Sequence, residues 1–230
     1  MPPSKAPLSN STPLKNFQLV FFLLLVLAFM IQGWGDRAGF FSHPARTGLL
    51  AVFAFSVLVL LFVPLDLLVG GGRKEIPRQR WVTFLAIGAM GGLCWYLPYA
   101  DRRNLLVWPE NDALRYLGLL ATALGMSMRV AGMAQLGNLF SGFVVVQAEH
   151  RLITTGCYCW IRHPIYTGSL LAFAGFLLVF RSQIILVALP LYFMGTLWRI
   201  ADEERLFTEA FGEEYKQYKA RTWKLLPFIY

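Results

Sequence analysis

Two short polar clusters interrupt an otherwise apolar chain. The first is Arg162-His163-Pro164-Ile165-Tyr166, near the end of a polar stretch that runs from Gln147 to Gly168. The second, one apolar hairpin later, is Trp198-Arg199-Ile200-Ala201-Asp202-Glu203-Glu204. Pro164 disfavours a helical conformation at His163 and suits the first position of the helix that follows. A helix start offers backbone N–H groups to an anion such as a carboxylate or phosphate, and His163 and Tyr166 stand beside that opening. Gly168 permits close helix approach. An interfacial aromatic belt with a proline start explains the same residues equally well. In the second cluster, Arg199 and Glu203 face each other on a helix. Read as chemistry, they hold one cationic and one anionic ligand group at once, with Trp198 as a face for a cation. Read as structure, they form a surface ion pair worth little.

The elements that position these clusters follow from composition. The chain has 230 residues, 57% hydrophobic and 15% charged, where a soluble domain carries about a quarter charged residues. Several apolar runs reach the ~20 residues needed to cross a hydrocarbon core. The expected fold is all-α: a polytopic integral membrane protein of about six transmembrane helices, five being the alternative count, with a C-terminal amphipathic interfacial helix. Spans are expected at about 17–31, 47–69, 81–99, 113–133, 164–180 and 183–200. A cleaved signal peptide competes for the first run, but Gln32-Gly33-Trp34-Gly35-Asp36 is a poor cleavage site and a retained helix is expected. Pro64 is expected to kink the second span and Asp66 to meet interfacial water. Arg129 either snorkels to the headgroups or reaches into the site. Only Arg181-Ser182 separates the last two spans, so these pair antiparallel and bring both polar clusters to one side. Residues 202–219 carry apolar side chains at helical spacing among charges, broken at Gly212, and read as the interfacial helix. The division that results is a disordered tail over 1–16, a scaffold of about four helices over 17–133 and a site-bearing region over 134–230.

Charge sets the orientation. With the N-terminus in the cytoplasm and six spans, the far side holds Arg37, Arg46, Arg102, Arg103, Arg115 and Arg181, leaving fifteen of the 21 Lys and Arg on the cytoplasmic side. That bias places both clusters at the cytoplasmic face of a bacterial inner membrane or an endoplasmic reticulum membrane. The net charge of +8 belongs to this topology and to lipid headgroups; with no basic stripe interleaved with aromatics, nucleic acid is not an expected partner. Cys94, Cys157 and Cys159 predict neither a disulfide framework nor a metal site, and no obligate protein partner is expected.

Several further motifs follow in order: His150, Leu152-Ile153, Gly156-Cys157-Tyr158, Arg162 to Gly168, Glu203-Glu204, Phe211-Gly212-Glu213-Glu214-Tyr215 and Leu226-Pro227-Phe228-Ile229. On these, the stretch over 134–230 resembles the isoprenylcysteine carboxyl methyltransferase family and the related phospholipid methyltransferases. The first four helices carry no such motif. The resemblance implies S-adenosylmethionine as cofactor, held by His150, Leu152, Ile153, Tyr158, His163, Pro164, Ile165, Tyr166 and Glu203, with Gln147 near a family glutamine of uncertain register. It implies Arg199 as the catalytic residue that addresses the acceptor carboxylate, with Glu203 beside it. Cys157 and Cys159 depart from the common bacterial pattern and touch acceptor preference more than cofactor binding. The acceptor implied is a lipidated cysteine carboxylate or another lipophilic small molecule that enters from the bilayer, with membrane lipids as the other expected partners. Phospholipid, amine or thiol methylation stays open, as do an NADPH-dependent reductase of the sterol-reductase type and a non-enzymatic membrane protein.

Overall fold

The computed structural model describes residues 11–65, 74–75, 77–142, 145–146 and 152–227. These residues form eight α-helices: α1 (Ser11–Trp34), α2 (Arg37–Phe41), α3 (Pro44–Leu61), α4 (Pro77–Arg103), α5 (Asp112–Leu136), α6 (Pro164–Val179), α7 (Ile185–Phe211) and α8 (Glu213–Ala220). A two-residue antiparallel ladder, Lys74–Glu75 with Val145–Val146, is a small addition to the all-α fold. Helices α1, α3, α4, α5 and α7 contain stretches long and apolar enough to cross a membrane, while α6 has 16 residues and is shorter. Phe17, Phe55, Leu85, Leu117 and Leu186 stand exposed on the long helices, as a lipid-facing surface requires.

Helix α6 lies inside the bundle, its Phe173, Phe176, Leu177 and Val179 packed with Met30, Leu49 and Leu97 from α1, α3 and α4. Its closest neighbour is α5. Gly118 and Gly125 meet Gly175 and Gly168 so tightly that a Cβ on Gly125 would stand 2.5 Å from the Gly168 carbonyl oxygen, and one on Gly118 2.7 Å from that of Gly175. Small residues at such a seam let two backbones touch, the usual source of helix affinity inside a membrane. The close approach expected at Gly168 is therefore made, and its partner is Gly125.

Several expectations are corrected. The tail over 1–16 is not irregular to its end: α1 begins at Ser11, residues 1–10 lying outside the described ones. Lys15 is buried there and donates from Nζ to the carbonyls of Leu60, Leu61 and Val63 at 3.3, 3.1 and 2.6 Å. It thereby caps the end of α3, where carbonyls lack helical partners. Pro64 does not kink the second span, because α3 ends at Leu61 before it; the ring of Pro64 disfavours helix at Val63, and Lys15 takes up the freed carbonyls. Asp66 lies outside the described residues. The amphipathic segment after Ile200 is not a separate helix: α7 runs unbroken from Ile185 to Phe211. The break at Gly212 is present, with φ of 56°, a left-handed conformation suited to glycine.

The end of the bundle away from His163 is closed by ions. Asp101 at the end of α4 has no exposed side-chain surface; it accepts from Arg115 at 2.8 and 3.0 Å and from Arg181 at 2.8 Å, with Arg46 at 3.8 Å. Glu110 binds Arg115 at 2.6 and 2.9 Å from the other side. The Arg115 hydrogen bonds, with the nearby Arg181 charge, hold the Glu110 carboxyl down at about 2 despite some burial. The tight α6–α7 turn is tied to the α4–α5 loop by Trp108 N–H to Arg181 carbonyl and Gln183 N–H to Leu106 carbonyl, both 2.8 Å.

Candidate active site

The other end of α6 is built by the chain's C-terminal third. After the turn Gly156–Cys159, Ile161 pairs in parallel with Trp223. Arg162 N–H donates to the Trp223 carbonyl at 2.8 Å and His163 N–H to that of Lys224 at 3.2 Å. Thr167 Oγ1 donates to the Leu225 carbonyl at 2.8 Å. The C-terminal segment thus laces over the start of α6, with Leu225 buried; residues 228–230 lie outside the described ones. Pro164 begins α6 as expected. The start of α6 offers fewer free donors than expected, however: Tyr166 and Thr167 N–H both turn back to the His163 carbonyl at 3.1 Å, leaving the Ile165 N–H.

Antiparallel pairing of α6 and α7 brings the two polar clusters together. Arg199 Nε donates to Tyr166 Oη at 2.7 Å, and Tyr166 Oη donates to Glu203 Oε1 at 2.5 Å. The second Glu203 oxygen lies 3.6 Å from His163 Nδ1, and His163 Nε2 lies 3.4 Å from Glu204 Oε1. Glu204 also meets Arg162 Nε at 3.2 Å and Lys219 Nζ of α8 at 2.8 Å. A single chain of polar contacts therefore runs from Arg199 through Tyr166, Glu203, His163 and Glu204 to Arg162 and Lys219. Arg199 and Glu203 are themselves 3.9 Å apart with under a fifth of each side chain exposed, so the surface-pair reading does not hold: Tyr166 joins them in the interior.

Of the residues singled out from the sequence, His163, Tyr166, Arg199 and Glu203 are brought into direct contact. Tyr158 is buried beside them; its hydroxyl donates to the Gly132 carbonyl of α5 at 3.3 Å, and its own carbonyl accepts from Tyr218 Oη at 2.7 Å. Burial, and next the Glu203 charge, push the Tyr158 hydroxyl pKa up, while burial pushes that of Tyr218 to about 12. Both phenols remain protonated donors at neutral pH. Pro164 and Ile165 pack toward α5 at Gly132, away from the polar chain. Leu152 and Ile153 are half-buried in the loop before Gly156. Gln147 and His150 lie outside the described residues. Arg129 donates to Ser169 Oγ on α6 at 2.5 Å.

Three features escape a reading of the sequence. Arg199 also donates to Thr83 Oγ1 of α4 at 2.7 Å and to the Gly142 carbonyl at 2.5 Å, so the scaffold half helps to fix it; no motif marks either residue. Glu204 is the hub between α6, α7 and α8, a role its pairing with Glu203 hinted at without a partner. Tyr215 of α8 is 1% exposed and its hydroxyl has no hydrogen-bond partner.

The isoprenylcysteine carboxyl methyltransferase family model matches residues 117–209, which extends the likeness back into α5. Over 136 residues the chain is 36% identical to the protein-S-isoprenylcysteine O-methyltransferase of Homo sapiens, covering 54% of this chain and 46% of that protein. Over 134 residues it is 32% identical to the probable protein-S-isoprenylcysteine O-methyltransferase of Oryza sativa subsp. indica, covering 54% of this chain and 68% of that one. The chain thus spans about half the length of the first of these relatives. A solved structure of the eukaryotic intramembrane Ras methyltransferase ICMT aligns with 94% of this chain and 86% of its own, at 19% identity and a TM-score of 0.44.

Proposed function

The chain belongs to the isoprenylcysteine carboxyl methyltransferase family, and on that premise we propose that it is a membrane-embedded, S-adenosylmethionine-dependent methyltransferase acting on a prenylcysteine-like carboxylate. The observation that carries the reading is the unbroken polar chain from Arg199 through Tyr166 and Glu203 to His163. It joins the residue expected to address the acceptor to those expected to address the cofactor. The residues fit a sulfonium donor with a zwitterionic tail: an acid pair, an imidazole and Arg162 present both signs of charge beside the unpartnered Tyr215 hydroxyl. His163, Tyr166, Tyr158 and Glu203 would hold the donor, with Leu152, Ile153 and, beyond the described residues, Gln147 and His150 completing its binding. When bound, S-adenosylmethionine supplies an electrophilic methyl group on sulfur.

The chain's own work is binding and alignment. An acceptor carboxylate has a pKa near ~4 and is ionised at neutral pH, so no general base is needed. Arg199 orients it, using the planar guanidinium donors suited to a carboxylate. Tyr166, accepting from Arg199 and donating to Glu203, fixes the spacing between the acceptor-facing and donor-facing groups. Holding two reactants in line contributes up to ~7–11 kcal/mol of barrier lowering. The site faces the cytoplasm, which the charge bias supports, and a lipidic acceptor enters from the bilayer.

Calorimetric titration of the detergent-purified protein with S-adenosylhomocysteine and, separately, NADPH tests this. Micromolar binding of the first that weakens about 10- to 100-fold in Glu203→Gln is expected. Binding of NADPH alone, or of neither by folded protein, would overturn the reading.

A further inference from the structure

Tyr215 lies outside the set of residues that family resemblance assigns to the ligand, yet among the described residues it is the most enclosed polar side chain at this end of the molecule. Its ring is held edge-on against Phe207 of α7 at 5.7 Å and tilted against Tyr218 at 6.1 Å. Phe207 follows Glu203 and Glu204 by about one helical turn, so the Tyr215 ring packs on α7 close to the acid pair. Tyr215 is 1% exposed. Two buried side-chain atoms among the described residues lack a hydrogen-bond partner, Asn16 Oδ1 and Tyr215 Oη, and Asn16 is only half-buried.

The contrast with its neighbours is informative. Tyr218 Oη donates to the Tyr158 carbonyl, Tyr158 Oη to the Gly132 carbonyl, and Tyr166 Oη to Glu203. Each of these three tyrosine hydroxyls has a partner. A buried hydroxyl without a partner costs stability relative to phenylalanine, and such groups point to a ligand or a catalytic use. Its surroundings say which kind. Burial pushes the Tyr215 pKa up, and the charges it feels are, in order, Glu204, Arg162 and Glu203. A hydroxyl within the field of two carboxylates and a guanidinium, able both to donate and to accept, suits a zwitterion rather than a neutral ring system. Adenosine is neutral; the amino-acid end of the donor carries an ammonium and a carboxylate together.

We propose that the Tyr215 hydroxyl is a further binding group of the site, hydrogen-bonded to the amino-acid end of the methyl donor when that donor is bound. The proposal rests on the methyltransferase reading above and deepens it. It also explains why α8 is tied to α7 through Lys219 and Glu204: the same contact that closes the C-terminal segment onto the bundle sets the phenol in place.

The test uses the full-length protein in detergent and two probes, S-adenosylhomocysteine, which has the amino-acid end, and 5′-methylthioadenosine, which lacks it. Binding of the second is read by displacement of the first. In Tyr215→Phe, affinity for S-adenosylhomocysteine falls about tenfold or more, the expected loss of a hydrogen bond to a charged group, while affinity for 5′-methylthioadenosine is unchanged. The unfolding midpoint of the unliganded variant stays level or rises, whereas that of Tyr218→Phe, which loses a made hydrogen bond, falls. Wild-type affinity for S-adenosylhomocysteine in Tyr215→Phe overturns the proposal, and so does an equal loss for both probes. Failure of folded wild-type protein to bind S-adenosylhomocysteine sinks the methyltransferase reading itself, a different result from either.

Discussion

Helix α6 carries a buried ion cluster at each end, about 24 Å apart along its 16 residues. At the Arg181 end, one carboxylate with no exposed surface is gripped by Arg115 and Arg181, with Arg46 close by. The partners are guanidinium and carboxylate groups in fork-like geometry. An open cleft of about 340 Å³ lies over them, lined by Arg46, Asp101, Arg115 and Arg181 among others, but Asp101, Arg115 and Arg181 are already bonded to one another. At the His163 end the groups are of mixed chemistry: an imidazole, a phenol, two carboxylates, a lysine and two arginines, some at 3.4 to 3.9 Å rather than in tight contact. One hydroxyl there has no partner. Charge at membrane depth is therefore no sign of function by itself. What separates a lock from a site is whether the groups satisfy one another, and whether they belong to types that bind and release.

The largest effect expected from this contrast is at the lock. Asp101→Asn removes the fully buried counter-charge of Arg115 and Arg181 and leaves them only the half-exposed Glu110, and breaking a buried pair this way costs about 3–5 kcal/mol. Denaturant or thermal unfolding in detergent should show that loss, with S-adenosylhomocysteine affinity of the folded fraction unchanged. A large affinity change would mean the two ends are coupled through α6.

The seam between the ends comes next. Gly125→Leu drives a side chain into the Gly168 backbone, and overpacking of this kind costs about 1–3 kcal/mol, occasionally more. Both stability and ligand binding should fall, because moving α6 displaces His163 and Tyr166 together. Loss of stability with full binding would show that the site does not depend on the α5–α6 spacing.

At the site, the sign of the contrast reverses. Glu203→Gln keeps a neutral acceptor for Tyr166 Oη but removes the charge, which should lower S-adenosylhomocysteine affinity about 10- to 100-fold, the range for a hydrogen bond to a charged group. Its unfolding midpoint should move far less than that of Asp101→Asn. Equal destabilisation by the two substitutions would make the His163 end a second lock.

This asymmetry also explains what the sequence could reveal. Apolar runs and a one-step turn at Arg181-Ser182 disclosed the hairpin of α6 and α7, and with it the meeting of Tyr166, Arg199 and Glu203, because period and loop length are local signals. Lys15 capping α3, Thr83 and the Gly142 carbonyl fixing Arg199, and Arg115 gripping Asp101 are contacts between distant segments, and nothing in residue type or spacing announces them. The unbroken run of α7 past Ile200 was hidden for another reason: hydropathy falls there while helix propensity does not, so a change of surroundings reads as a change of element. Tyr215 was visible as a motif residue, but an unmade hydrogen bond is legible only once the partners of its neighbours Tyr158, Tyr166 and Tyr218 are known.

The smallest effect sharpens the account of the lock by asking how far it reaches toward water. Glu110 binds Arg115 from the exposed side, with 57% of its own side chain exposed. Its carboxyl is held at about 2, first by the Arg115 hydrogen bonds, against an ordinary value of 4.5. A depressed acid contributes stability that is complete above the unfolded pKa and disappears as pH falls through the folded one. Glu110 should therefore support the fold fully above about pH 4.5 and lose that support toward about pH 2. Solvent screening keeps the size small, as for exposed pairs generally. Comparing unfolding midpoints of wild type and Glu110→Gln from about pH 6 downward should show a gap that narrows below about 4.5. A gap that stays constant with pH would mean the contact works through packing rather than charge, leaving Asp101 alone, which has no such exposure, to neutralise the buried arginines.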